Sequence, residues 1–448
     1  VSALLAALLA SAAAAAQPPT FALTLAQAEI AARAHSQELK AAAEQSAAAK
    51  DGADAQFSAL FPRLTLNGSY QYQAVLPEIA ILPGAPPAAF GAQHDRSIGP
   101  AVSWTLWDEG ALYKTWKAQR AAATSTDEAA RLTELQVALA ARLAYVQVQL
   151  AREQVRLLAD SVALADAQYA DVDRRERAGA ASRIDALSSH QEDLQRRADF
   201  LEAQAGLATS LRALFQLIGM GDGLDLTRPV DVRVSTGLPA GFAAPTLLVD
   251  LDPLSRLPES LAGAEVLAPS AAHPAVLVYQ RQAESARLSA QGLSASDWPL
   301  IQLNGSIDYE YPNGPQLVYV TQKTIGLTAS VPLFEMRQTA RLTSRQKHLA
   351  SAAERERDLA AEQLARDWDK AKATLASLRD EQVVDDRAAA EAAELAHLVY
   401  LSYKAGRSTY LDVQTYDLTA LTTKVQSAKT RAQTLIQLAT LAELAAKE

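Results

Sequence analysis

The sequence predicts a mainly α-helical fold that carries a smaller β part of four long strands, with the whole arrangement written twice. Three observations predict it. A helix-to-helix turn occurs as Arg177-Ala-Gly-Ala-Ala-Ser-Arg-Ile-Asp185 and again as Lys404-Ala-Gly-Arg-Ser-Thr-Tyr-Leu-Asp412. Each turn ends a stretch of 71 residues without proline, 108–178 and 335–405, long enough for a helix of roughly 105 Å. Ahead of each stretch the apolar period changes from helical to strict alternation across two strands.

Composition narrows the function classes. Half of the 448 residues are hydrophobic, mostly Ala and Leu with few aromatics, which suits closely packed helices. With 42 Lys and Arg against 51 Asp and Glu the net charge is -9. No basic cluster of the kind that phosphate contacts need is present, so no nucleic-acid partner is expected. The absence of cysteine removes disulfides, thiolate metal sites and an acylated N-terminal Cys together.

Residues 1–16 form an uncharged Ala/Leu run ending in Ala14-Ala-Ala16, which reads as a signal-peptide core with a small-residue cleavage site. No later stretch reaches the ~20 apolar residues of a membrane-spanning helix. The first repeat, 17–218, opens with helices over Leu25 to Ala34 and Gln37 to Phe61. The second repeat, 273–448, matches it at an offset of 237 through Pro62/Pro299 and Asn67-Gly-Ser69/Asn304-Gly-Ser306, then at 227 from Ile98-Gly99/Ile325-Gly326. One loop, between Gln73 and Asp95, is therefore ten residues longer in the first repeat. Between the repeats, 219–272 is rich in Gly, Pro and Asp and reads as an irregular equatorial segment.

In the first strand Leu64, Leu66, Tyr70 and Tyr72 alternate with Thr65, Asn67, Ser69 and Gln71. The second sets Ile98, Val102, Trp104 and Leu106 against Ser97, Gly99, Ser103 and Thr105. The third sets Ile301, Leu303, Ile307 and Tyr309 against Gln302, Asn304, Ser306 and Asp308, and the fourth Ile325, Leu327, Val331 and Leu333 against Thr324, Thr328 and Ser330. Strands of about 11 residues cross a bilayer when tilted. A soluble antiparallel sheet with one wet face has the same alternation.

The long runs carry coiled-coil seams. In the second they are Leu364, Trp368, Ala371, Leu375, Leu378 and Gln382, at spacings that alternate between four and three. The first run, through Leu132, Leu135, Leu139, Leu143, Val146 and Leu150, contains a shifted step. The return helices start at Ser182 and Thr409, and the second carries Leu418, Leu421, Val425, Ala428, Ala432, Leu435 and Ala439 as its seam. At the turns Gly179 and Gly406 can take the left-handed conformation that ends a helix, with Arg177 and Lys404 at the negative end of the dipole. Ser182 and Thr409 are good N-caps, and Asp185 and Asp412 complete a capping box with Asp in place of Glu. The same carboxylates could instead face a pore.

Other candidate chemistry is weak. The six histidines are scattered without metal-ligand spacing. Gly219-Met-Gly-Asp-Gly223 follows a helix rather than a strand and reads as a helix stop. Aromatics in or beside the strands fit an interfacial belt or ordinary strand propensity. No catalytic residue, cofactor site or metal site is expected.

The order of these pieces resembles the TolC-type outer-membrane efflux proteins, the outer membrane factor family, over nearly all of the chain after the signal. Phe61-Pro-Arg-Leu-Thr-Leu-Asn-Gly-Ser69, Val331-Pro-Leu-Phe334 and Ala405-Gly-Arg-Ser-Thr-Tyr-Leu-Asp412 carry the resemblance. It implies a homotrimer in which four strands per chain build a twelve-stranded transmembrane β-barrel and the duplicated helical hairpins build a coiled-coil tunnel. Elementary physics agrees on the need for copies, because four strands cannot close and a membrane barrel can leave no edge.

The resemblance further implies a location in the outer membrane of a Gram-negative bacterium, with a long periplasmic extension. There the family forms the passive exit duct of a tripartite efflux or type I secretion system, with a periplasmic adaptor, an inner-membrane pump and outer-membrane lipid as partners. Asp412 falls at the pore constriction. A second family aspartate, one turn on, is replaced by Thr415, which departs from a double anionic ring. Adaptor docking carries over to Gly179, Ala180, Ser182, Asp185, Gly406, Ser408 and Thr409. The other reading of the same helices is a periplasmic coiled-coil structural protein with soluble strands and no channel.

Overall fold

The computed structural model describes residues 20–76, 78–79, 88–89, 91–220, 248–252, 265–266, 268–314 and 316–446. The expected signal peptide, most of the 219–272 segment and the middle of the longer loop lie outside them. In chain order the elements are β1 (Thr20–Leu23), α1 (Leu25–His35), α2 (Gln37–Ser58), β2 (Arg63–Tyr72), β3 (Glu78–Ile79), β4 (Ala88–Ala89), β5 (His94–Trp107), α3 (Ala111–Arg177) and α4 (Arg183–Ile218). They continue with β6 (Leu248–Leu251), α5 (Pro274–Ala295), β7 (Leu300–Tyr311), β8 (Val320–Ser330), α6 (Gln338–Lys404) and α7 (Tyr410–Leu444). The chain divides into two compact units, each drawing on both repeats.

The unit made of residues 42–130 and 274–361 contains the main sheet. Its order is β2-β5-β7-β8, every pair is antiparallel, and β2 and β8 form its edges. Register separates the two faces. Ser103 stands opposite Asn304, and Asn304 opposite Gly326, while Trp104 and Leu327 flank Leu303. Leu64, Leu66, Ile325 and Leu327 are 65–83% exposed, so the apolar face has no cover among the described residues. The polar residues Thr65, Asn67, Ser103, Asn304, Ser306 and Thr324 line a concavity of about 470 Å³ on the other face.

Several boundaries differ from the sequence expectation. α2 stops at Ser58, not Phe61; the residue before Pro62 disfavours helix, and the Trp104 indole donates to the Leu60 carbonyl at 3.1 Å. β8 ends at Ser330, so Val331 and Leu333 are not strand residues, because Pro332 offers no N–H for a ladder. β5 begins three residues before Ser97, at His94. The entries to the long helices repeat faithfully. Glu109 and Gly110 have φ of 52° and 73°, and Met336 and Arg337, 227 residues on, have 47° and 63°. The second copy thus holds an arginine in a left-handed position that the first gives to glycine.

The unit made of residues 1–41, 131–273 and 362–448 contains the paired turns and a small parallel sheet, β1 with β6. The buried face of α3 in this unit corrects the expected seam. Leu135 and Val146 of that seam are buried, but Leu132, Leu139, Leu143 and Leu150 are only half-buried, whereas Ala138, Arg142, Tyr145 and Gln149 are buried at regular steps of four and three. The shift in the leucine pattern therefore does not interrupt packing. Polar members of the true seam reach the small sheet and α1. Arg142 makes a two-pronged bond to Glu29 at 2.7 and 3.0 Å. The Tyr145 hydroxyl donates to the Leu23 carbonyl at 2.9 Å and accepts from the Asp252 N–H at 2.8 Å. Burial holds this phenol well above its usual pKa.

On α6 the expected seam is buried from Leu364 to Leu378. On α7 only its second half is: Ala428, Ala432, Leu435 and Ala439 are buried, but Leu418 is exposed and Val413, Ala420 and Ser427 take the inner positions nearer the turn. α4 buries Phe200, Leu207, Leu211, Leu214 and Phe215. It ends at Gly219, whose φ is 73° and whose missing side chain makes room for the His35 ring.

Candidate functional site at the paired helical turns

Both turns have the local chemistry their residues imply. After α3, the Gly179 N–H donates to the Glu176 carbonyl at 2.9 Å and the Ala180 N–H to Arg175 at 2.7 Å. After α6, the Gly406 N–H donates to Tyr403 and the Arg407 N–H to Ser402, each at 2.9 Å. These are paired Schellman bonds, and they need the φ of 74° and 72° at Gly179 and Gly406. A Cβ added at either glycine would meet nothing within 4 Å, so conformation rather than space selects the residue.

The helices that follow begin with full capping boxes. Ser182 Oγ accepts from the Asp185 N–H at 3.0 Å, and Asp185 accepts from the Ser182 N–H at 3.4 Å. Thr409 Oγ1 accepts from the Asp412 N–H at 3.2 Å, and Asp412 Oδ2 accepts from the Thr409 N–H at 2.8 Å and its hydroxyl at 2.7 Å. The bond from the Thr409 hydroxyl, then that from its N–H, holds the Asp412 carboxyl below the usual carboxylate pKa. Capping is thus an observed role of both aspartates. At Asp412 all these bonds end on Oδ2, which leaves Oδ1 for other partners. Gly179, Ala180, Ser182, Gly406 and Thr409 are exposed. Ser408 is turned inward, donating to the Val399 carbonyl at 3.2 Å.

Behind the turns the two hairpins are tied together. Val172 and Ala186 of the first pack with Tyr403, Tyr410 and Val413 of the second, and the rings of Tyr403 and Tyr410 meet edge to face at 5.5 Å. Asp171 is the polar centre. It accepts from the Tyr400 hydroxyl at 3.1 Å, pairs with Arg175 at 3.2 Å and lies 3.9 Å from Lys404. Burial works against its charge, but the Tyr400 bond and the Arg175 and Lys404 charges outweigh burial and leave its carboxyl below the usual value. Burial and the bond to Asp171 push Tyr400 up to about 12. Arg175 also donates to the Lys404 carbonyl at 3.3 Å, closing the exposed end of α6. Farther from the turn, Gln414 donates to the Ser188 carbonyl at 3.0 Å and Gln168 to Asp417 at 2.8 Å.

Sequence reasoning placed the glycines and caps and missed Asp171, Arg175, Tyr400, Gln168 and Gln414. One signal was available: Tyr400, Tyr403 and Tyr410 crowd into eleven positions of a chain with few aromatics. Among the described residues no His, Asp and Glu group has metal-binding geometry.

Comparison with known proteins completes the site's setting. Residues 30–220 match the outer membrane efflux protein family. The resemblance read from the repeats and turns is borne out. No curated protein matches the sequence. Among solved structures, CusC, described in connection with transmembrane channel formation, aligns with a TM-score of 0.73 at 18% identity, over 97% of this chain and 95% of its own. VceC, an outer membrane protein of Vibrio cholerae, aligns with a TM-score of 0.73 at 15% identity over 94% and 96%. The open state of the MtrE outer membrane channel of Neisseria gonorrhoeae aligns with a TM-score of 0.70 at 18% identity over 94% and 88%. The chain therefore shares the fold of these solved channels over 94–97% of its length, beyond residue 220, where the family match ends.

The tie has a measurable weight. Tyr400→Phe removes one hydrogen bond to a charged acceptor, about 1.5 kcal/mol, and should speed amide exchange across 399–413 roughly tenfold. Unchanged exchange would show that the bond holds nothing. Because the folded Asp171 carboxyl is the stronger acid, its contribution is complete above the unfolded pKa of about 3.9 and is lost as pH falls through the lower folded value. Acid should therefore loosen the turns of the parent chain more than those of Asp171→Asn.

Proposed function

We propose that three copies of this chain form a passive outer-membrane exit duct. Substrate would enter from an inner-membrane pump through a periplasmic adaptor, as in a tripartite efflux or type I secretion system. The observation that supports this reading best is the main sheet. Among the described residues it has two unpaired edges, an uncovered apolar face and a polar concave face, as one third of a membrane barrel would have apart from its neighbours. The helices support assembly as well. Ile184, Leu187, Leu194 and Leu201 are all more than half exposed along one stripe of α4, the heptad-like spacing of a seam that awaits a partner.

In this reading the polar face with Asn304 lines the lumen and the face with Leu303 meets lipid. Lys in place of Leu303 should cost about 2 to 4 kcal/mol near the bilayer midplane, and Lys in place of Asn304 much less; folding titrations into lipid vesicles measure both. Equal costs would contradict the face assignment. A folded chain released from membranes without detergent would favour a periplasmic coiled-coil protein instead.

The turns are the natural place for regulation. Gly179, Ala180, Ser182, Asp185, Gly406 and Thr409 form the surface offered to the adaptor, with Ser408 bracing the second turn from behind, and Asp412 the constriction. Three Asp412 carboxylates around one axis repel one another and attract cations through Oδ1. Asp412→Ala should therefore weaken block by divalent cations in a planar bilayer. Asp185→Ala, which loses the same kind of cap, should leave block unchanged. Equal effects from both would remove the gate and leave capping as the only role of Asp412.

A further inference from the structure

We propose that the loop-proximal half of the apolar sheet face binds the phosphate-bearing headgroups of anionic lipid, through Arg96 and Lys323 set among tyrosines. This rests on the reading that the face meets lipid. The register puts Arg96 directly between Tyr70 on β2 and Tyr311 on β7. Its guanidinium lies over the Tyr70 ring, 5.8 Å from the centroid. The Tyr70 hydroxyl is in turn held by His94 Nδ1 at 2.8 Å, which fixes the ring beneath the cation. Lys323, fourth from the loop end of β8, stands opposite Ile307 on the same face. Both basic residues are exposed, and neither forms an ion pair among the described residues.

Charge is segregated across the sheet. At this end the acidic residues are Asp95, Asp308 and Glu310, and they alternate onto the polar face, opposite Gln71, Gln322 and Ser97. The apolar face of the four strands carries no carboxylate. Two cations on a lipid-facing surface are tolerated only toward the headgroups, where long stems can reach polar surroundings. With no acid on their own face, their counter-charge must come from the lipid. Phosphate suits both: the guanidinium fork takes two phosphate oxygens, and the ammonium acts as a point charge. Tyr70 and Tyr311, on either side of Arg96, supply the amphipathic frame typical of that depth. A zwitterionic headgroup brings its own cation to the phosphate and so leaves less net attraction.

The test uses the full chain in mild detergent, given equal amounts of palmitoyl-oleoyl phosphatidylglycerol and phosphatidylcholine, with retained lipids counted by native mass spectrometry. Each basic residue near an anionic headgroup is worth a few-fold in affinity, so the parent chain should retain phosphatidylglycerol roughly tenfold over phosphatidylcholine. The double variant Arg96→Gln, Lys323→Gln should retain the two equally, and the swapped variant Arg96→Lys, Lys323→Arg should keep most of the preference. Equal retention by the parent chain, or an undiminished preference in the double Gln variant, would overturn the proposal while leaving the membrane reading intact. Retention of neither lipid by a chain that stays folded without detergent would overturn both.

Discussion

A β-strand at the edge of a sheet presents backbone N–H and C=O groups that must be paired, wetted or covered, and in hydrocarbon only pairing is available. β2 and β8 are long, carry apolar side chains on one face and have no partner on their outer sides among the described residues. Everything else can be understood as serving that constraint. Four strands are too few to close, so the proposed duct needs copies to complete the sheet. In that assembly, copies about an axis would bring their helices into contact, and the exposed stripe on α4 is apolar at the spacing such contact uses.

Duplication explains how one chain supplies two strand hairpins and two helical hairpins with little new invention. The correspondence extends to backbone detail at Glu109-Gly110 and Met336-Arg337, where the same left-handed bend starts each long helix. It also extends to the turns, where Schellman bonds and capping boxes recur around Gly179 and Gly406. The copies differ where they face each other. Asp171 and Arg175 stand on the first hairpin, and Tyr400 and Lys404 answer from the second, so that the tie joins unlike partners.

Much of this was legible in the sequence because it is local. Alternation in Leu64 to Tyr72 or Ile301 to Tyr309, a glycine three residues before a Ser or Thr cap, and a long stretch without proline each depend on near neighbours. The errors came where a local rule was overridden. Pro62 and Pro332 cut elements that hydrophobic pattern alone would extend. On α3 the leucines suggested a broken seam, because the regular one passes through Arg142 and Gln149, whose burial depends on partners at Glu29 and Asp252. The Asp171 tie was invisible for the same reason: Tyr400 lies 229 residues away, and neither residue is unusual until the fold brings them together.

The central claim, that the sheet edges are completed by other copies of the chain, can be tested by covalent capture. The chain has no cysteine, so an introduced pair is unambiguous. Asn67→Cys on β2 would be combined in turn with Thr324→Cys, Gly326→Cys and Thr328→Cys on β8, oxidised in mild detergent and resolved without reductant. Pairing of β2 with β8 of a neighbouring copy predicts that at least one combination yields a ladder ending at a covalent trimer, and that each single variant yields none. A folded chain that remains monomeric in every combination would contradict the account.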